Sequence, residues 1–338
     1  MNTSSSHFST WFKSISRAAS VALIFVLLAA CAAPPTPAPQ FALRVGFVRA
    51  LDPLPFYVMQ EQGFSKQNGL QIAETVYPGG APIIEALAAG SLDVGYVTSV
   101  AVFSAAERGL IPGTLVPAAA DSFIDPDHPS VGILVSPSVK GWKDLEGQSI
   151  AVVLKTGLST AAIKRRLQQE SVQNYTLVEI PIANMGLAVA GGNVAAATMV
   201  EPYLTQSLLR GDGKLLGWVI GGHPIESMES ILIVFRADLY RNNPQAAKTF
   251  LRAHLQAVKW MSQNLNTARS ILAKRLSVSE EVGQKMNLVR WPLDARNDAA
   301  SLESVQPLLV EIGTLKAPIP ARQLYDETLL DQVLAEKR

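Results

Sequence analysis

The chain has 338 residues, with 29 Lys or Arg against 28 Asp or Glu, which gives a formal net charge of +1. A chain this close to neutral is a poor candidate for a nucleic-acid-binding protein, which needs a basic surface. Cys31 is the single cysteine, so neither an internal disulfide nor a metal site built on cysteine pairs is available. The length is sufficient for two domains of ordinary size.

The first thirty residues have the organisation of a signal peptide. A polar start contains Lys13 and Arg17 and no acid, and the apolar stretch 18–30 follows it. A membrane-spanning helix needs roughly 17 to 25 apolar residues. Because this stretch is shorter than that, we predict that residues 1–30 are a signal peptide that is removed by cleavage.

The signal segment ends in Leu28-Ala29-Ala30-Cys31, which resembles the lipobox of bacterial lipoproteins. The resemblance implies that Cys31 is the lipidation site and becomes the first residue of an extracytoplasmic protein. Each acyl CH₂ group that enters a bilayer contributes about 0.8 kcal/mol, so several chains hold a domain at the membrane. An ordinary cleavage site beside an incidental cysteine is the alternative. Residues 31–41 are rich in Ala and Pro, which predicts an extended tether.

Beyond the tether, short apolar runs alternate with longer amphipathic segments. The runs suit parallel strands that helices cover on both faces, at residues 42–48, 92–97, 115–119, 149–154, 176–182 and 195–200. Prolines near the predicted helix starts favour helices over 56–67, 81–89 and 245–264. His254 lies on the apolar stripe of the last of these, which predicts a core histidine. The chain is almost wholly helical from residue 236 onward, and the alternation as a whole predicts an α/β protein.

Two blocks of sequence occur in an informative order. They are FVRALDPLPFYVMQEQGFSKQNGL at 47–70 and PGGAPIIEALAAGSLDVGYVTSVAVFSAAERG at 78–109. Both resemble the substrate-binding proteins of ABC importers for aliphatic sulfonates, taurine, nitrate or bicarbonate, and thiamine-precursor pyrimidines. That family shows "GLFxKxGL" and "EALxxGxxDxG" at such positions. WKDLEG at 142–147 and VEPY at 200–203 extend the resemblance over most of residues 42–270.

The resemblance implies an α/β, two-lobed periplasmic-binding-protein fold (venus-flytrap, type II) with mostly parallel sheets and a helical C-terminal tail. The chain then crosses twice between the lobes and binds a small solute in the cleft between them. We expect lobe I to contain residues 42–130 and 231–338, and lobe II residues 131–230. The implied partners are an ABC permease and its ATPase. We expect a monomer that uses no cofactor and no metal and catalyses no reaction.

Ligands of open α/β sheets bind beyond the carboxyl ends of the strands, so the candidate ligand-binding residues follow the apolar runs. In lobe I they are Leu51, Asp52, Phe56, Gly79, Gly80, Thr98, Ser99 and Ser122. In lobe II they are Thr156, Gly157, Ser159, Thr160, Glu201 and Tyr203. Each has a plainer explanation: glycines permit turns, hydroxyls cap helices and aromatic rings fill cores.

Helix starts and hydroxyl groups favour an anion at these loops. We therefore expect a small sulfonate or a related anion such as taurine or nitrate. Glu201 and the aromatic residues keep open the second candidate, a pyrimidine precursor of thiamine.

Other functions remain open at this point. A sensor that binds the same solutes has the same sequence features. Gly157-Leu158-Ser159-Thr160-Ala161 resembles the nucleophile elbow of serine hydrolases but has Ala161 where that motif has glycine. Asp125, Asp127 and His128 cluster in the chain, and a solvated loop explains them better than a metal site.

Overall fold

The structure, a computed structural model, describes residues 41–336. The predicted signal peptide and Cys31 lie outside the described residues, and so does the predicted tether apart from Phe41. That residue opens the first strand, although the predicted boundary placed it in the tether. Among residues 41–336, no helix is long and apolar enough to cross a lipid bilayer.

Five strands form the first sheet, in the order β2-β1-β3-β10-β4. Strands β1, β2 and β3 are parallel, whereas β10 runs antiparallel to both β3 and β4. The strand bounds are β1 Phe41–Val48, β2 Leu70–Tyr77, β3 Val94–Thr98, β4 Leu115–Ile124 and β10 Met228–Arg236. Strands β3 and β4 are almost entirely buried, as their continuous apolar runs predict.

The second sheet has the same plan, in the order β7-β6-β8-β5-β9. Strands β6, β7 and β8 are parallel, and β5 runs antiparallel to β8 and β9. The strand bounds are β5 Val131–Val135, β6 Gln148–Val152, β7 Tyr175–Glu179, β8 Ala196–Val200 and β9 Lys214–Ile220. Each sheet therefore contains one strand that runs antiparallel to both of its neighbours. This strand is β10 in the first sheet and β5 in the second, and each lies far along the chain from the strands with which it pairs.

Helices connect the strands of both sheets. They are α1 Leu54–Glu61, α2 Phe64–Gln67, α3 Gly80–Ala88, α4 Ser99–Glu107, α5 Leu158–Gln169, α6 Ile182–Ala190 and α7 Tyr203–Arg210. The C-terminal helices are α8 Ala237–Asn242, α9 Pro244–Gln263, α10 Leu265–Leu276, α11 Glu280–Lys285, α12 Ala299–Ser304, α13 Gln306–Glu311 and α14 Thr328–Ala335. Pro244 opens α9, and the Asn243 side chain caps it by accepting from the Ala246 amide.

The chain passes between the sheets twice. Strand β4 of the first sheet is followed across residues 125–130 by β5 of the second, and β9 is followed across residues 221–227 by β10. We use lobe I for the first sheet with its helices and lobe II for the second sheet with its helices. The domain boundaries at 130 and 231 remain our proposal, and residues 228–230 already belong to a strand of the first sheet.

An aromatic cluster forms the centre of lobe I. Phe56 is fully buried between Phe47 and Tyr96, with ring centroids 5.1 and 5.4 Å away. Tyr96 also packs against Phe250 of helix α9. Burial of such rings dominates core energetics, so this cluster fixes helices α1 and α9 against the sheet. The apolar face of α9 that the sequence predicts is the face that packs here.

All six predicted apolar runs contain a strand. Four strands lie outside these runs: β2, β5, β9 and β10. Of these, β2 directly follows the turn that ends the first sequence block. The predicted lobe boundary at residue 231 falls inside β10, because the polar residues Glu229 and Ser230 precede its continuous apolar run.

Candidate functional site

The loops at the carboxyl ends of the parallel strands of the first sheet form one edge. Strand β10 is antiparallel, so its first residues lie at this same edge; Ile231 pairs with Thr98 on one side and with Ser122 on the other. The edge therefore brings together the loops after β1 and β2, the end of β3, the second half of β4 and Ser230. This is the position at which open α/β sheets bind ligands.

Asp52 is a polar group at this edge that several hydrogen bonds hold in place. Its Oδ1 accepts hydrogen bonds from Ser122 Oγ at 3.1 Å and from Ser230 Oγ at 2.9 Å. The indole Nε1 of Trp291 donates to the Asp52 backbone carbonyl at 2.7 Å. Burial raises the pKa of Asp52, and the bonds from Ser230 and Ser122 oppose that rise. Two strands thus hold the carboxyl group of Asp52, and the helical tail holds its backbone.

Asp121 lies behind this group and is fully buried. Neither of its side-chain oxygens has a hydrogen-bond partner among the described residues, and Oδ1 lies 3.9 Å from Nε2 of His254. Burial raises the pKa of Asp121 well above its usual value, the charge of Asp52 raises it further, and the nearby Ser122 hydroxyl opposes this rise. His254 is buried with its Nδ1 3.2 Å from the Tyr96 hydroxyl, and burial lowers its pKa to about 3. His254 is therefore neutral at neutral pH, and burial favours the protonated form of Asp121.

The glycine loop after β2 approaches the end of β3 closely. A Cβ on Gly80 would lie 2.8 Å from Thr98 Oγ1, so only glycine lets helix α3 start here. Thr98 caps helix α4 by accepting from the Ala101 amide at 3.4 Å. The Ser99 hydroxyl is buried and has no partner within residues 41–336. The structure thus brings together four predicted site residues: Gly79, Gly80, Thr98 and Ser99. Of these, Thr98 caps helix α4.

Leu51 and Phe56 lie beneath the edge. Leu51 is 5% exposed and Phe56 is not exposed at all. Phe56 is part of the aromatic core, so this structure presents no surface of its ring to a solute. The interpretation of Phe56 as a core residue, which the sequence left open, is the one that its packing supports.

In lobe II, the loop after β6 leads to helix α5. Thr156 and Gly157 are exposed, Ser159 is half-buried and Thr160 is buried. Thr160 Oγ1 donates to the Leu154 carbonyl at 2.6 Å, and the Lys155 amide donates to the Glu179 carboxylate at 2.7 Å. Thr160 therefore stabilises the loop, whereas Thr156 and Ser159 remain candidates for contact with a solute. No described hydrogen bond joins Ser159 to a histidine, so the geometry gives the hydrolase alternative no support.

Glu201, at the end of β8, is buried and extensively bonded. Its Oε2 accepts from the Thr205 amide at 3.1 Å, and its Oε1 accepts from Thr205 Oγ1 at 3.0 Å. Oε1 also accepts from the backbone amide of Asn287 at 3.1 Å. Asn287 belongs to the helical tail, so this carboxylate links the second sheet to the tail. Tyr203, two residues later, is half-buried against the core of lobe II.

Four residues of these groupings were absent from the sequence prediction as site residues: Ser230, Asp121, Trp291 and Asn287. Each is brought in from a segment distant in the chain from the residue that it contacts. A polar residue within an apolar run was the only available signal, and it applies to Asp121 and Ser230.

The acidic loop between β4 and β5 is held by ion pairs. Asp125 accepts from Arg290 Nε at 2.8 Å and lies 2.8 Å from His128 Nδ1. Within residues 41–336, no group of three or more His, Cys, Asp or Glu side chains is placed to bind a metal ion.

Comparison with known protein families identifies the family of this chain. A family model described as NMT1-like matches residues 36–277, which is well over half of the chain. The chain belongs to the NMT1-like family. No curated protein matches the sequence of this NMT1-like chain significantly.

Solved structures share its fold. The periplasmic aliphatic sulphonate binding protein of Escherichia coli has 19% identity and a TM-score of 0.69, covering 84% of this chain and 92% of its own. The periplasmic nitrate-binding protein of Synechocystis PCC 6803 has 17% identity and a TM-score of 0.66, covering 89% and 90%. The alkanesulfonate-binding protein of Xanthomonas axonopodis pv. citri, bound to MOPS, has 19% identity and a TM-score of 0.58, covering 89% and 99%. These matches confirm the predicted periplasmic-binding-protein fold of the NMT1-like chain and its resemblance to importer binding proteins.

Proposed function

We propose that this protein is the extracytoplasmic, lipid-anchored solute-binding component of an ABC importer. The observation that carries the proposal is the pair of sheets, each with an edge of polar loops, in a chain of the NMT1-like family. The fold relatives named above are binding proteins, which supports a binding role in place of catalysis. The permease, its ATPase and the anchor at Cys31 are parts of this proposal.

The ligand we favour is a small organic anion of the sulfonate class. The start of the twelve-residue helix α5, with the exposed Thr156 and the half-buried Ser159 beside it, offers amide and hydroxyl donors. Such donors and the helix dipole favour a negative group.

The second candidate is a thiamine-precursor pyrimidine. The observation that favours it is the Asp52 carboxyl, which is oriented by Ser122 and Ser230 and suits a ring amino group. The sequence prediction gave that task to Glu201, but Thr205 and Asn287 already occupy the oxygens of Glu201.

The proposed mechanism is closure of the two lobes around the solute. Contacts from both edges lower the free energy of the closed form, and the permease then recognises that form. The Glu201–Asn287 bond and the ion pair between Arg165 and Glu311 are contacts between lobe II and the helical tail that closure can form or break.

The binding proposal is tested by calorimetric titration of the mature protein with ethanesulfonate, taurine, nitrate, bicarbonate and hydroxymethylpyrimidine. We expect saturable binding of a sulfonate, with a rise in Tm that grows with its concentration. Binding of the pyrimidine alone would replace the favoured ligand with the second candidate. Binding of none of them, together with ester hydrolysis that Ser159→Ala abolishes, would contradict the binding role.

The anchor is tested separately by Cys31→Ser. Labelled fatty acid should enter the wild-type protein and not the variant. Label in the variant would show that Cys31 is not the acylated residue. Capture of the permease and ATPase by the wild-type protein, loaded with solute, separates import from a sensor that passes its signal to a receptor.

A further inference from the structure

The carboxyl group of Asp52, at the edge of lobe I, is held in one orientation by its hydrogen-bond partners. Both side-chain hydrogen bonds described for it go to Oδ1, from hydroxyls of β4 and β10. No described hydrogen bond reaches Oδ2. A carboxyl group held by two donors on one oxygen has its second oxygen directed in a fixed way, ready to accept from a further donor.

No basic side chain among residues 41–336 forms an ion pair with Asp52. A second acid, Asp121, lies behind it, and the charge of Asp52 contributes to the raised pKa of Asp121. Asp121 is fully buried, and both its oxygens lack a hydrogen-bond partner among the described residues. A buried acid without a partner is costly unless something completes it. Because Asp121 is out of reach of a solute, the observation that bears on the ligand is the Oδ2 oxygen of Asp52, for which no donor is described among residues 41–336.

An anion cannot supply that group. A sulfonate or nitrate oxygen next to Asp52 would face like charge at a site with little solvent to screen it. An ammonium or a protonated amine has donors for Oδ2 and a charge opposite to that of Asp52. The lobe II loop before helix α5 has the opposite preference, because its donors favour the anionic end of a solute.

We propose that Asp52 is a specificity-determining residue that selects zwitterionic solutes, in which an amino group accompanies the anion, over simple anions of the same size. The inference rests on the proposed binding function and narrows its ligand class to amino-substituted sulfonates. Ser122 and Ser230 are positioning residues that direct the carboxyl group.

The test uses matched pairs of solutes that differ only in the amino group. These are 2-aminoethanesulfonate with ethanesulfonate, and 3-aminopropanesulfonate with propanesulfonate. Calorimetry on the wild-type mature protein should give at least about a tenfold lower Kd for the amino member of one pair. Asp52→Asn should abolish that preference by weakening the amino member while leaving the Kd of its unsubstituted partner unchanged or lower.

Two further variants show whether the effect comes from the orientation and position of the Asp52 carboxyl group. Ser230→Ala should reduce the preference in part, because one of the two orienting donors remains. Asp127→Asn removes an exposed acid of the same charge and should leave both Kd values unchanged.

Equal binding of both members by the wild-type protein would overturn the inference and leave the binding function intact. An equal loss of affinity for both members in Asp52→Asn would overturn it as well. If no member binds at all, the proposed ligand class fails and the inference fails with it.

Discussion

Each lobe has an acid in the segment that follows a parallel strand, yet the two acids have different surroundings. Asp52 of lobe I accepts two described bonds on one oxygen and couples to a second acid. Glu201 of lobe II accepts from Thr205 twice and from Asn287, through both oxygens. The two carboxyl groups thus differ in how many further hydrogen bonds each can accept from a solute. Our proposal therefore assigns the solute to Asp52, because Asp52 has an oxygen without a described partner whereas both oxygens of Glu201 already accept hydrogen bonds.

The largest expected effect tests whether the lobe I edge rests on a rigid core. Phe56→Ala removes a fully buried ring from the aromatic cluster beneath Asp52. We expect the free energy of unfolding to fall by about 3–5 kcal/mol, because such truncations lose transfer energy and leave a cavity. Chemical denaturation measures this loss, and Phe56→Leu, which keeps a large apolar side chain and leaves a smaller cavity, should lose less than Phe56→Ala.

A loss of affinity with unchanged stability in Phe56→Ala would assign this ring to the solute. The comparison between the edges would then change, because lobe I would contribute an aromatic wall as well as an acid.

A smaller effect is expected at Glu201. Glu201→Ala leaves the amides of Thr205 and Asn287 without their acceptor, and each buried unsatisfied donor costs about 1–3 kcal/mol. We expect a total loss of about 2–3 kcal/mol in the free energy of unfolding, measured by denaturation. Glu201→Gln keeps one acceptor oxygen and should lose less. A variant that folds with wild-type stability but no longer binds solute would contradict the structural assignment of this acid.

The third prediction concerns Asp121 and the dependence of stability on pH. Its folded pKa is raised above the unfolded value near 3.9, so the native state binds the extra proton between these two values. The contribution of Asp121 is therefore fully present below about pH 4 and is lost as the pH rises toward the folded pKa. Asp121→Asn should gain stability relative to the wild type across that window, with a slope that approaches the one-proton limit of about 1.4 kcal/mol per pH unit.

His254 acts in the opposite direction within the wild-type profile. Its folded pKa of about 3 lies below its ordinary value of 6.5, so its contribution grows as the pH rises between those values. Because His254 lies 3.9 Å from Asp121, the Asp121→Asn comparison is repeated in the His254→Gln background, where the difference isolates Asp121. Denaturation at pH 4.5, 6 and 7.5 measures that difference, and parallel profiles would show that burial does not perturb this acid.

Much of the fold could be predicted from the sequence. Continuous apolar runs such as 195–200 gave buried strands, and Pro244 with Asn243 gave the start of helix α9. These signals are local, since burial on both faces and helix capping act within a few residues. The predicted core position of His254 followed from periodicity alone, and the histidine is buried.

The site was predicted only in part, for a physical reason. Asp52 and Ser122 were both among the candidates, and the structure joins them by a hydrogen bond. The bond from Ser230 depends on the insertion of β10 between β3 and β4, and sequence spacing contains no trace of that pairing. The ligand-binding roles of the candidates remain predictions.

One short stretch of the tail contacts both edges: Asn287 reaches Glu201, and Trp291 reaches Asp52. All ten strands described here are complete by Arg236, some fifty residues earlier in the chain. During synthesis, both sheets can therefore pair before the segment that ties their edges together has left the ribosome. The order of emergence therefore separates the pairing of the strands from the connection of the two edges, because Asn287 and Trp291 follow every described strand in the chain.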